Sequence, residues 1–218
     1  MCGIFGYIGK KNPLMTVLNG LKKLEYRGYD SAGIAGIRNG TIYSWKEVGK
    51  VAALEKEVMN SPEELEIAIA QTRWATHGGV TRANAHPHMN GDNSIALVHN
   101  GIIENFELLK EELIKEGVKF RSETDTEVIV HLISKYYKGD LVSAVHSAIA
   151  RLKGAYSLAL IHSKHPDTIV AVAYESPLVI GIGNGEVFVS SDYHAFAFET
   201  REVIYLTHGE VAEVKKDS

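Results

Sequence analysis

The sequence predicts an α+β layered domain. Strand-like apolar runs crowd both ends of the chain, three consecutive helical segments fill its middle, and strands do not alternate with helices as a βαβ fold would require. At 218 residues, 45% hydrophobic and 23% charged, the chain can bury a sizeable core, expected as one domain over residues 1–218.

Residues 2–9 (CGIFGYIG) form a short apolar run broken by glycines, the pattern of a buried strand with close backbone neighbours. Over residues 13–26, Leu14, Val17, Leu18, Leu21 and Leu24 recur at helical spacing with Lys22 and Lys23 on the polar side, which predicts an amphipathic helix. Residues 32–37 and 41–48 flank Asn39-Gly40, a dipeptide that tolerates the positive φ of a type I′ turn, so the two segments should pair as a hairpin. Residues 67–72 and 94–100 read as further buried strands. The Gly, Pro, Asn and His-rich stretch between them, 76–93, is too long and polar for a turn and is expected to be functional. Helices are predicted over 104–116, over 125–137 with Thr124 and Glu127 at capping-box spacing, and over 141–152 behind Asp140. Strands follow at 155–162, 168–174, 178–181 and 186–190, then a helical turn near 193–198, and last a pair, 203–206 and 210–214, around His208-Gly209.

A formal net charge of −4 argues against nucleic acid as a partner, because neutralising phosphates takes a basic surface. No apolar run approaches the roughly 20 residues that span a bilayer, and the run at the start is too short for a secretory signal, so no membrane partner and a cytoplasmic location are expected. The single cysteine, Cys2, cannot form an intrachain disulfide, which suits a reducing compartment. A chain that starts Met-Cys is a good substrate for methionine removal, and the product carries a thiol and a free α-amine on one residue. That amine, with a pKa of about 7.7–8.0, accepts a proton at neutral pH and can serve as base for its own thiol. By residue type alone Cys2 also reads as a small buried hydrophobe; its surroundings decide.

Six blocks occur in order: residues 2–6 (CGIFG), 24–33 (LEYRGYDSAG), 72–78 (TRWATHG), 84–88 (NAHPH), 99–105 (HNGIIEN) and 122–127 (SETDTE). Together they resemble the class II glutamine amidotransferase domains, and the tyrosines and Asp30 of the second block favour the aminosugar-forming branch. The resemblance implies the N-terminal nucleophile hydrolase fold, a four-layer αββα sandwich. It implies hydrolysis of the glutamine side-chain amide through a Cys2 thioester, with no cofactor and no metal. Asn100 and Gly101 would form the oxyanion hole. Arg73 suits the substrate α-carboxylate as a fork, and Asp125 the α-ammonium. Thr76 and His77 are expected substrate contacts and Trp74 part of a closing lid. Arg27 is expected to support the nucleophile, and His86 and His99 to shape the pocket. Gly3, Gly28 and Gly101 are expected to permit close backbone approach. Histidines 77, 86, 88 and 99 invite a metal reading, set aside because no carboxylate or thiolate set accompanies them at ligand spacing. In the aminosugar branch ammonia passes to a sugar-phosphate isomerase region, through which a homodimer could form; with that region absent, an excised domain or a free-standing glutaminase is expected. A glutamine-binding module without turnover and a glutaminase serving another acceptor are the alternatives.

Overall fold

The computed structural model describes residues 2–60 and 64–216. Removal of Met1 concerns a residue outside that set.

Two antiparallel sheets lie face to face. The first, in order β11 (Glu202–Leu206), β9 (Leu178–Gly183), β10 (Glu186–Ser190), β1 (Gly3–Gly9), β4 (Ile67–Arg73), β2 (Ser31–Arg38) and β3 (Thr41–Val48), has β1 near its centre. The second runs β12 (Glu210–Val214), β8 (His165–Tyr174), β7 (Tyr156–His162), β6 (Ile95–Gly101) and β5 (His88–Met89). Pleat alternation sends Ile4, Ile8, Ile67, Ile69, Ala159 and Ile161 into the layer between the sheets. Their neighbours Phe5, Tyr7, Ala68 and Ala70 face α1 (Pro13–Leu24) and α2 (Val51–Met59). Leu158 and Leu160 face α3 (Phe106–Lys115), α4 (Thr126–Tyr136) and α5 (Leu141–Ile149). The result is the αββα sandwich. Because both faces of the central strands are covered, β1, β4 and β7 read as nearly unbroken apolar runs instead of alternating ones.

Asn39 and Gly40 take φ of 49° and 70°, so the predicted turn forms and β2 pairs with β3. Asn12 caps α1, its Oδ1 accepting from Met15 N at 3.1 Å, and Pro13 starts the helix where its missing N–H costs nothing. The helix stops at Leu24, and a 3-10 turn covers Glu25–Arg27. Asp140 caps α5 through Ser143 N at 3.0 Å.

Two expectations fail and one helix goes unpredicted. Glu127 does not close a capping box with Thr124: its carboxylate accepts from Arg121 N, Ser122 N and Ser122 Oγ at 2.7, 2.7 and 2.6 Å, while Thr124 Oγ1 bonds His88. The last two strands do not pair with each other, for β11 joins β9 in one sheet and β12 joins β8 in the other. Helix α2 was not predicted, although Val51, Leu54 and Val58, its three buried residues, have helical spacing.

Candidate active site

Cys2 stands directly before β1, and the register of β1 against β4 sets Gly3 opposite Thr72, so Cys2 lies beside Arg73 and Trp74. Trp74 N–H donates to Cys2 Sγ at 3.2 Å. The Cys2 carbonyl accepts twice, from Arg27 Nε at 3.1 Å and from Asn100 Nδ2 at 3.1 Å. Arg27 reaches back to Asp192 at 3.7 Å, which in turn accepts from the Tyr26 hydroxyl. The residue is thus held by its backbone on one side and through Sγ by Trp74 on the other. Burial pushes the Cys2 thiol above its ordinary pKa, opposed by the Trp74 N–H and by the charge of Arg73. Such a thiol needs a neighbouring base to become a nucleophile at neutral pH.

Asn100 and Gly101 end β6 in the opposite sheet, where they meet Cys2 at one cleft. Gly101 has φ +120°, and a Cβ there would overlap the Ala155 carbonyl oxygen and lie 2.8 Å from Tyr156 Cα. Gly28 passes so near the Arg73 carbonyl that a Cβ would sit 2.8 Å from its oxygen, so Gly28 and Gly101 lie against backbone as expected, whereas at Gly3 a Cβ would meet the side chains of Leu24 and Thr72 at 2.8 Å.

A cleft of about 500 Å³ opens over Cys2, bounded by Arg27, Trp74, Thr76, Asn100 and Gly101. Trp74 is 47% exposed at its rim and packs edge-on to Tyr29 at 5.4 Å. Behind Cys2 a pocket of about 20 Å³ is lined by Arg73, His77, His86, His99 and Asp125, room for about one water. Arg73 is buried and spends its guanidinium on loop carbonyls, His77 at 2.5 Å and Gly79 at 3.1 Å. Asp125 turns its carboxylate to Ile103 N–H at 2.8 Å without capping its own helix. A carboxylate on Arg73 would have to share the guanidinium's five N–H donors with the carbonyls of residues 77–79. His77 rests edge-on to Phe106 at 5.2 Å.

The histidines are tied to hydroxyls. Thr126 Oγ1 bonds His86 Nε2 at 2.8 Å and His99 Nδ1 at 2.9 Å, and Thr124 Oγ1 bonds His88 Nε2 at 3.1 Å. Burial lowers the pKa of all three, His88 to about 3. Among the described residues no group of three or more His, Cys, Asp or Glu is placed to hold a metal, and no helix is long and apolar enough to cross a membrane.

Sequence reasoning missed three contributors. Thr126 carries the two histidines; Asp30 accepts from Ala75 N at 2.5 Å and so anchors the segment after Trp74; Gln71 donates to Asn100 Oδ1 at 3.2 Å. Asp30 and Thr126 lie inside the recognised blocks, and Gln71 was visible as the lone amide in the otherwise apolar run from Ile67.

A family model for the glutamine amidotransferase domain matches residues 71–198, which include Arg73, Asn100, Gly101 and Asp125. The chain belongs to this family. Among relatives of this amidotransferase domain, the glutamine--fructose-6-phosphate aminotransferase [isomerizing] of Aquifex aeolicus is 50% identical over 218 residues, covering 100% of this chain and 37% of its own length. The protein of the same name from Chlamydia trachomatis is 52% identical over 217 residues, 99% of this chain and 36% of its own. The chain thus spans a little over a third of these relatives. The structure of the glutamine phosphoribosylpyrophosphate amidotransferase from B. subtilis superposes with a TM-score of 0.80 at 24% identity, over 99% of this chain and 49% of that one. That likeness carries the fold.

Proposed function

We propose that the domain hydrolyses the side-chain amide of L-glutamine with Cys2 as nucleophile, after Met1 has been removed. The observation that carries this reading is the convergence on Cys2 of the Asn100 amide and the Arg27 guanidinium, both bonded to its carbonyl. The Cys2 thiol gives its proton to its own α-amine, directly or through one water, and the sulfur bonds the amide carbon. Asn100 Nδ2–H and Gly101 N–H hold the resulting oxyanion, donors worth about 2.7–4 kcal/mol each in comparable sites. As the C–N bond breaks, the ammonium proton passes to the leaving nitrogen and ammonia departs. Water, deprotonated by the same amine, attacks the thioester, and glutamate and the free thiol are released.

Arg73 and Asp125 read the α-carboxylate and α-ammonium, which restricts the site to a free amino acid. Arg73 does so with donors beside those bonded to the loop carbonyls, and Thr76, His77 and Trp74 close over the substrate. The name of the longer relatives supports fructose 6-phosphate as acceptor and an isomerase region that receives the ammonia; glucosamine 6-phosphate as product, a homodimer through that region and a cytoplasmic setting complete the proposal.

The test is glutamate release from L-glutamine by protein whose N-terminal mass shows Cys2 first, beside a Cys2→Ala control. Activity lost in the control supports the thiol mechanism. Glutamine binding without turnover in correctly processed protein overturns it in favour of a binding module.

A further inference from the structure

We infer that Gln71 is a positioning residue that fixes which way the Asn100 amide faces, and through it the oxyanion donor. The inference rests on the proposed role of Asn100 and goes beyond it.

Gln71 lies on β4 in phase with Ile67 and Ile69, on the face toward the other sheet, and is 0% exposed. An apolar side chain would fill that slot without desolvation, as the two isoleucines do. The amide is instead retained with Oε1 buried and unpartnered, an arrangement that costs free energy. Its Nε2 supplies what the cost secures, because it donates both to the His99 backbone carbonyl and to Asn100 Oδ1, the latter at 3.2 Å. Asn100 Nδ2 then donates to the Cys2 carbonyl at 3.1 Å.

The chain of bonds begins at one backbone carbonyl and ends at another. Neither can donate, so only one assignment of the two amides satisfies every link. Gln71 must present its NH2 to His99 and Asn100, and Asn100 must present its oxygen to Gln71 and its NH2 to Cys2. One hydrogen of that NH2 is held by the Cys2 carbonyl, and the other is left for the substrate oxygen in the cleft. Without Gln71 the Asn100 amide loses the donor that holds its oxygen inward. A flipped amide would turn a lone pair toward the developing negative charge.

The test uses the full 218-residue chain with Met1 removed. Gln71→Met keeps length and approximate volume while removing both the donor and the orphaned oxygen. Expected are a kcat roughly 10- to 100-fold lower, short of the roughly 10²–10³-fold that loss of a whole oxyanion donor costs, a KM within about twofold, and alkylation of Cys2 by iodoacetamide within about twofold of wild type. In an Asn100→Ala background Gln71→Met should do nothing further, since no amide remains to orient. Gln71→His, which keeps a ring N–H, should recover part of kcat. Gln71→Glu should lose most at pH 8, where the carboxylate attracts the Asn100 NH2 inward, and its kcat relative to wild type at the same pH should rise as the pH falls and the new carboxyl becomes a donor. The inference is overturned if Gln71→Met leaves kcat within twofold, if its effect multiplies in full with Asn100→Ala, or if kcat loss tracks Cys2 alkylation. Should Gln71→Met not fold, Gln71→His and Gln71→Glu decide by the same kcat and pH criteria. An Asn100→Ala protein that keeps its kcat while Gln71→Met loses it overturns the oxyanion role itself, which separates the two failures.

Discussion

Replacing Gly101 by alanine tests whether the backbone at the end of β6 is as constrained as its geometry indicates. The residue holds φ +120°, where an L side chain is strained by about 1–3 kcal/mol. The new Cβ would also overlap the Ala155 carbonyl oxygen and stand 2.8 Å from Tyr156 Cα, both on rigid backbone. Forcing β6 and β7 apart adds about 1–3 kcal/mol, as overpacking does elsewhere. The total is about 2–6 kcal/mol, and at about 2–4 °C per kcal/mol for a chain of this size the melting temperature should fall by about 4–24 °C. Two controls divide the effect. Gly117→Ala, at φ +91° with nothing within 4 Å, carries strain alone, and Gly91→Ala, in open space, should be near neutral. Thermal melts rank the three, and glutamate release reports the second consequence: a Gly101 N–H displaced by about 1 Å costs roughly 10²-fold in kcat. If Gly101→Ala melts within about 2 °C of wild type, or no lower than Gly117→Ala, the reasoning is refuted.

Thr126→Val removes the hydroxyl shared by His86 and His99 while keeping shape, leaving two more ring nitrogens without partners; at about 1–3 kcal/mol each it should cost about 2–6 kcal/mol in denaturant unfolding. A loss under 1 kcal/mol would mean that the hydroxyl's bonds are replaced. Burial holds His88 at about 3 and His162 at about 4, so the folded chain binds fewer protons than the unfolded one between pH about 6.5 and those values. The stability of these neutral rings is complete above pH 6.5 and lost on acidification, so calorimetric melting temperature should fall from about pH 6.5 to 4, and a flat profile there contradicts the assignment. Asp140→Ala, removing the cap bonds to Ser143, should cost about 1 kcal/mol and leave glutamate release unchanged. A change in kcat would show that α5 is coupled to the site.

Local chemistry was legible where it is self-sufficient. Asn39-Gly40 states its turn without help from the rest of the chain, and Asp140 marks a helix start through a side chain that acts within three residues. What failed depended on distant partners. Thr124 and Glu127 have the spacing of a reciprocal cap, but His88 and the 121–122 backbone compete for them successfully. A short connection at His208-Gly209 resembles a hairpin, yet β9 and β8 each offer an open edge and the two strands separate to take them. Candidate site residues were read from blocks, and the blocks do converge on Cys2. Spacing carries no sign that Arg73 is bonded to loop carbonyls, or that Asn100 faces a buried glutamine from another strand.

The position of β1 also fixes an order of events. Its two neighbours are β4, near residue 70, and β10, where Phe5 pairs with Ser190. A chain synthesised from its N-terminus at about 5–20 residues per second needs roughly 10–40 s before residue 190 exists. For that time the strand that follows Cys2 lacks one side of its sheet, and the trimming of Met1 that the proposed mechanism requires has a built-in interval in which to occur. A nucleophile placed on β2, whose partners β3 and β4 are both made by residue 73, would have both sides of its sheet within about 4–15 s. Topology therefore acts as a timer, delaying completion of the thiol's surroundings until nearly all of the domain has been made.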